Sequence, residues 1–94
     1  IYRREENHLV RRASRGPAPP GRSFRLSEGN VGTVGQTGVT RVVDGELIVP
    51  IRTGDVTVGV IDVESSSAAL DDEDRSLVER VAALLAGSLS ASPA

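Results

Sequence analysis

Cysteine, methionine, tryptophan and lysine are all missing from this 94-residue chain. Without a thiol there is no disulfide, no zinc–thiolate centre and no cysteine nucleophile among these residues. Without lysine there is no P-loop, which needs that ammonium beside its glycines. Aromatic side chains are reduced to Tyr2 and Phe24, so the core has to be aliphatic and no stacking platform for nucleic acid is available. No run of about 18 apolar residues occurs, so no helical membrane span is expected. The opening residues also lack the charged-then-apolar pattern of a secretory signal.

What is present is arginine, acid and β-branched residues. All 11 bases are Arg against 13 acids, for a net charge of −2. The distribution is uneven: residues 1–30 carry seven Arg and three acids, a balance of +4, while residues 31–94 carry four Arg and ten acids, a balance of −6. With no recognition helix beside it, the basic half is read as the solvent faces of two strands rather than as a nucleic-acid surface. Exclusive Arg usage is what coding in a GC-rich genome would produce. At this length one domain is expected, close to the size where a single core is only modestly stable.

The stretch that organises the chain is GELIVPIRTGDVTVGVIDVE, residues 45–64. Leu47, Val49 and Ile51 alternate with Ile48, Pro50 and Arg52, and Val56, Val58 and Val60 alternate with Thr57, Gly59 and Ile61. A period of two in β-branched residues predicts two strands. Thr53-Gly54-Asp55 predicts the turn between them, with Gly54 free to take positive φ. In this register Asp62 continues the Val56, Val58, Val60 stripe. A carboxylate there belongs either in a pocket that partners it or at an exposed strand end bonded to Ser65–Ser67. Glu46 is expected to be exposed.

Residues 1–16 read as a hairpin, with strands at about Ile1–Arg4 and His8–Ser14 on either side of a turn at Glu5-Glu6-Asn7. His8, the sole histidine, is read as a surface strand residue, since no second ligand or base accompanies it. Gly16–Gly21 is a proline-rich loop; Phe24 and Leu26 re-enter the core as an extended segment. Gly29, Gly32, Gly35 and Gly38 do not form a G-x-G-x-x-G fingerprint. Four glycines can mark plain turns, and each would cost a helix about 1 kcal/mol against Ala, so that any helix here would be poor and mobile. Val39–Val43 is the next strand, and V-V-D-G-E-L carries a two-residue hairpin signal at Asp44-Gly45. After a bend at Ser65–Ser67, Asp71 caps a helix whose first turn is acidic, Asp72, Glu73 and Asp74. Capping explains these carboxylates better than a metal does, because consecutive residues at a helix start point in different directions. Leu77, Val78, Val81, Leu84, Leu85 and Leu89 are expected to share one buried face. The tail Ser90–Ala94 should fray.

Taken in order, "EGNVGTVGQTG", "ELIVPI", "GD", "VGVIDVESS" and "LDDEDRSLVERVAALLAGSL" resemble the GAF domain, the small α/β sensor module of signalling proteins. The likeness runs from about residue 24 to 89. It implies an α/β (α+β) two-layer fold: an antiparallel sheet of about five strands with the C-terminal amphipathic helix on one face. It implies a pocket wall at the glycine-rich helix and a ligand held by Val31, Thr33, Glu46, Asp62 and Glu64. GAF relatives also have a helix before the first hairpin and a long excursion after Asp44. Both are missing here, so residues 1–94 are expected to be one GAF-like domain, truncated or lacking an internal segment, and the opening at Ile1 without any Met agrees.

The enzyme branch of the family, the free methionine-(R)-sulfoxide reductases, places its reducing cysteine where this chain has Val31, which forms neither a sulfenic acid nor a disulfide. No catalytic residue, cofactor or metal is therefore expected. The expected function is a non-catalytic regulatory module for small-ligand sensing or dimerisation in a bacterial signalling protein of the cytoplasm. Its partners would be a small molecule and either a second copy or neighbouring domains, not nucleic acid or membrane. The alternatives are a fragment of a reductase-like enzyme whose cysteines lie outside these residues, and a structural interaction module with no pocket.

Overall fold

Two β-branched runs meeting at Gly54-Asp55 make the longest ribbon of the molecule. Strands β5 (Glu46–Thr53) and β6 (Val56–Glu64) pair antiparallel from Glu46↔Glu64 to Thr53↔Val56. Gly54 takes φ 60° at the turn, a left-handed value open to a residue without Cβ. The computed structural model describes residues 1–15, 22–65 and 70–90, the last two by backbone alone. The loop expected at Gly16–Gly21, the fraying expected of the tail beyond Ser90 and part of the Ser65–Ser67 bend lie outside the described residues.

Strand β1 (Tyr2–Glu5) turns through Glu6-Asn7 into β2 (His8–Arg11), and β2 pairs with β3 (Ser23–Arg25). Strand β2 stops at Arg11, short of the expected Ser14, because the N–H groups of Arg12 and Ala13 both turn to the Ile1 carbonyl at 2.9 and 3.4 Å. Strand β4 (Arg41–Val43) folds back on β5 through Asp44-Gly45. The strand order is β3-β2-β1-β6-β5-β4, six strands with every pairing antiparallel. The short segments at Phe24 and Val42 both join the ladder, which takes the sheet past the expected five.

Helix α1 (Gly29–Thr37) lies on one face of the sheet and α2 (Asp72–Ser90) on the other. Alternation along the strands divides the core accordingly. Tyr2, Leu9, Ile48 and Val60 pack with Val31 and Val34 of α1. Leu47, Val49, Ile51 and Ile61 pack with Ala82, Val78 and Leu85 of α2. The glycine-rich segment is thus a helix and not a series of plain turns. Its glycines answer a packing demand: a Cβ on Gly32 would stand 2.3 Å from the Arg25 carbonyl oxygen, and one on Gly35 would stand 2.7 Å from Leu9 Cδ1.

Two expectations are corrected by register. A β-bulge follows Ile51, so that Ile51 opposes Gly59 but Arg52 opposes Thr57. The extra residue, Val58, turns to the α2 side, Val56 is 54% exposed, and only Val60 of the predicted stripe shares a face with Asp62. The apolar face of α2 is also wider than the sheet can cover. Val78, Ala82 and Leu85 pack inward, whereas Leu77, Val81 and Leu84 are 59%, 40% and 81% exposed. The helix start agrees with the sequence: Asp71 Oδ1 accepts from the Asp74 N–H and Asp74 Oδ2 from the Asp71 N–H, each at 2.9 Å, a reciprocal cap.

Candidate functional site

Strand register brings charges of both signs to the α1 face. Tyr2 stands opposite Arg11 across β1–β2 and opposite Val60 across β1–β6, so Arg11, Tyr2 and Val60 form one row over three strands. Asp62, two residues beyond Val60, shares their face. Across β5–β6, Ile48 opposes Asp62 and Glu46 opposes Glu64. The same period of two therefore gathers Glu46, Asp62 and Glu64, whose carboxylate oxygens come within 4.8 Å of one another.

A cleft of about 1380 Å³ opens over this face. Its basic side carries Arg11 and Arg22, its acidic side Glu46, Asp62 and Glu64, and Val31 of α1 closes it from above. Tyr2 and Phe24 meet edge to face, centroids 5.6 Å apart at 67°, and Arg22 lies 4.8 Å over the Phe24 ring. The aromatic pair gives the basic side a rigid apolar footing.

Asp62 is the most perturbed group. Burial first, then the hydrogen bond and charge of Glu46, then the charge of Glu64, push its carboxyl from 3.8 up to about 8. Its Oδ1 is buried with no hydrogen-bond partner among the described residues, and Nη2 of Arg11 is in the same condition on the opposite side. Buried polar atoms are normally satisfied, so two such orphans of opposite sign in one cleft are informative. Burial, and after it the Asp62 charge, also raise the Tyr2 phenol, against the guanidinium of Arg11 within its reach. The acidic side would admit an ammonium or a hard cation, and the protonated Asp62 can donate a hydrogen bond.

The residues singled out in sequence divide here. Val31, Glu46, Asp62 and Glu64 come together around the cleft. Thr33 stands outside its wall, with its hydroxyl donating back to the Gly29 carbonyl at 2.6 Å. Glu46, expected to be exposed, is half-buried because β4 and Asp62 flank it, whereas Glu64 is exposed at the rim. His8 is a surface residue at the start of β2. Arg11, Arg22 and Tyr2 escaped notice, since the basic half read as solvent-facing. The signal for Arg11 was the hairpin itself: a two-residue turn at Glu6-Asn7 places Arg11 opposite the aromatic Tyr2, on the buried face.

A small antiparallel sheet backed by a helix, with a short second helix walling a polar cleft, defines a ligand-binding type of α/β module. The GAF-domain family model matches residues 1–89, and the chain belongs to the GAF family. GAF domains are regulatory and ligand-binding modules, and this chain is one of that kind. No curated protein is similar enough to the chain to count as a match. Among the described residues no helix is long and apolar enough to cross a membrane.

Proposed function

We propose that this GAF domain is a non-catalytic sensor that binds a small ligand in the cleft between α1 and the acidic end of β5–β6, within a larger cytoplasmic signalling protein of bacterial origin. The observation that carries the reading is Asp62: a half-buried carboxyl beside two others, with one oxygen buried and without a hydrogen-bond partner among the described residues, at the wall of an open cleft. Such a group destabilises the empty fold and is relieved by a ligand that satisfies it. The absence of any thiol in the chain and the position of the sole histidine away from the cleft support binding without chemistry. The experiment is thermal unfolding across a panel of cyclic nucleotides, free amino acids and small anions. A ligand at 100 times its Kd adds about 2.7 kcal/mol, a rise of more than about 10 °C for a domain of this size. No shift with any compound would leave a scaffold module instead.

A second reading concerns assembly and is carried by α2. Leu77, Val81 and Leu84 are exposed at the spacing of a d-a-d seam. Leu at d with a β-branched residue at a is the combination that favours two-stranded coiled coils. A second copy of this chain, pairing its own α2, is the occupant that spacing selects.

A further inference from the structure

We propose that two copies of this chain bury their α2 pair between their sheets, the outer face of β1–β3 in each copy covering the back of α2 in the other. This rests on α2 pairing with a second copy and assigns a surface that the apolar stripe alone does not. Successive residues of a helix turn by about 100°. With Val78, Ala82 and Leu85 packed inward over β5 and β6, Leu77, Val81 and Leu84 fall on one flank of α2 and Glu79 on the other. Glu79 accepts a hydrogen bond from the Thr40 hydroxyl at 3.4 Å, beside the edge strand β4. The exposed stripe therefore opens sideways, away from β4 and toward the side of the sheet where β1, β2 and β3 lie.

That side of the sheet has a helix on one face only. Tyr2, Leu9 and Phe24 point to α1. Arg3 and Val10, opposed across β1–β2, and His8 and Arg25, opposed across β2–β3, therefore point the other way. Among the described residues no element lies over them: α2 packs on β5 and β6 instead, and His8 and Arg25 are exposed, Arg3 and Val10 half-buried. A helix seated on the stripe stands about 8–10 Å from α2, the width of two strands at about 4.8 Å each, and so over β1 and β2.

Symmetry then fixes the orientation. A closed pair of identical chains has a two-fold axis. An axis normal to the sheet would run the helices antiparallel and put both sheets on the same side, where β1–β3 of the two copies would occupy one space. An axis along the helices runs them parallel, each of Leu77, Val81 and Leu84 meeting its own counterpart, and puts the sheets on opposite sides of the helix pair. The back of each α2 is then roofed by the bare face of the other copy. The chemistry of the two surfaces matches. The back of α2 carries Ser76, Ala83 and Gly87, which admit close approach, and sets Asp72 and Glu73 against a single Arg80. The face arriving on it carries Arg3, His8 and Arg25 around Val10, with Glu5 already held by Arg12.

The test uses the 94-residue chain, its mass followed against concentration by light scattering and its urea midpoint measured at low concentration. Val10→Glu and Arg25→Glu, both remote from the stripe, should each weaken the dimer about tenfold or more and leave the low-concentration midpoint where it was. Arg25 is exposed, so its replacement decides the matter should Val10→Glu disturb the fold. Arg41→Glu, on exposed edge strand β4, should leave the dimer unchanged. Because the chain has no cysteine, Ser88→Cys, one turn beyond Leu84 on the same flank, introduces a single thiol. Parallel helices bring two such thiols together, and mild oxidation should link the copies covalently. A dimer that Leu84→Glu abolishes but both Val10→Glu and Arg25→Glu spare, or one in which Ser88→Cys does not cross-link, would overturn the sandwich while the stripe stood as the contact between copies. A wild-type chain that stays monomeric at every concentration would remove both.

Discussion

At the scale of single residues, Asp62 is where position and chemistry disagree most. Its carboxyl in the folded chain holds a proton up to about pH 8, against an ordinary value of 3.8. The unfolded chain releases that proton near its ordinary value, so between about pH 4 and pH 8 the folded state binds more protons and stability falls as pH rises. The contribution of this group is fullest below the unfolded value and is lost by the time pH has passed the folded one. Asp71 works the other way: its backbone hydrogen bonds from the α2 cap hold it below the usual range, so what it contributes is present at neutral pH and is lost in acid. Urea denaturation of the wild-type chain from pH 5 to pH 8.5 should therefore show declining stability, and Asp62→Asn should flatten the decline and be the more stable protein at pH 8. An Asn variant with the wild-type slope would show that another group sets it. Asp62 was legible in sequence only as a carboxylate out of place. The family resemblance set Glu46 and Glu64 beside it, but the half-buried state of Glu46 was not legible, because exposure depends on the width of the sheet and not on alternation.

At the scale of elements, the same substitution should have opposite signs in the two helices. Gly32 of α1 has the Arg25 carbonyl oxygen 2.3 Å from where a Cβ would stand, and a backbone atom in β3 cannot swing aside. A Cβ on Gly87 of α2 would meet nothing within 4 Å beyond its own helix turn among the described residues. Gly32→Ala should destabilise by roughly 1–3 kcal/mol through overpacking despite its better helix propensity. Gly87→Ala should stabilise by about 0.5–1 kcal/mol. Midpoints of urea unfolding check both, and a neutral or stabilising Gly32→Ala would mean that α1 stands off the sheet. These elements also mark how far a sequence reading reaches. The β5–β6 hairpin and the start of α2 are written in local signals: alternation, a Gly turn, the Asp71 cap and an acidic first turn. The bulge at Val58 and the reason for the glycines in α1 are not, since both depend on which backbone lies across from them. Glycines that look like turns in one dimension prove to be helix positions pressed against a strand.

At the scale of the whole molecule, the sheet has a helix on each face, and apart from Val39, Val42 and Val56 the large apolar side chains exposed among the described residues belong to α2. The sequence pattern of α2 predicted one buried stripe from Leu77 to Leu89. The fold accepts only the part of it that fits over β5 and β6, and Leu77, Val81 and Leu84 are left outward. Leu84, at 81% exposed, contributes almost nothing to its own domain, so replacing it tests assembly without touching the core. Light scattering over a wide concentration range should show mass rising from monomer to dimer for the wild-type chain. Leu84→Glu should stay monomeric with an unchanged melting temperature at low concentration, because two like charges would face each other at the seam. Leu85→Glu, one residue on and packed against the sheet, should instead lower stability by a few kcal/mol by placing a charge in the core. A wild-type chain that remains monomeric at high concentration, or a dimer indifferent to Leu84→Glu, would assign the stripe to a neighbouring segment of the parent protein. In either case Glu46 and Asp62 stand apart from the stripe, since they share the face on which Ile48 and Val60 pack with α1, although Ile1, Ile61 and Val63 carry the cleft's lining round to the α2 side.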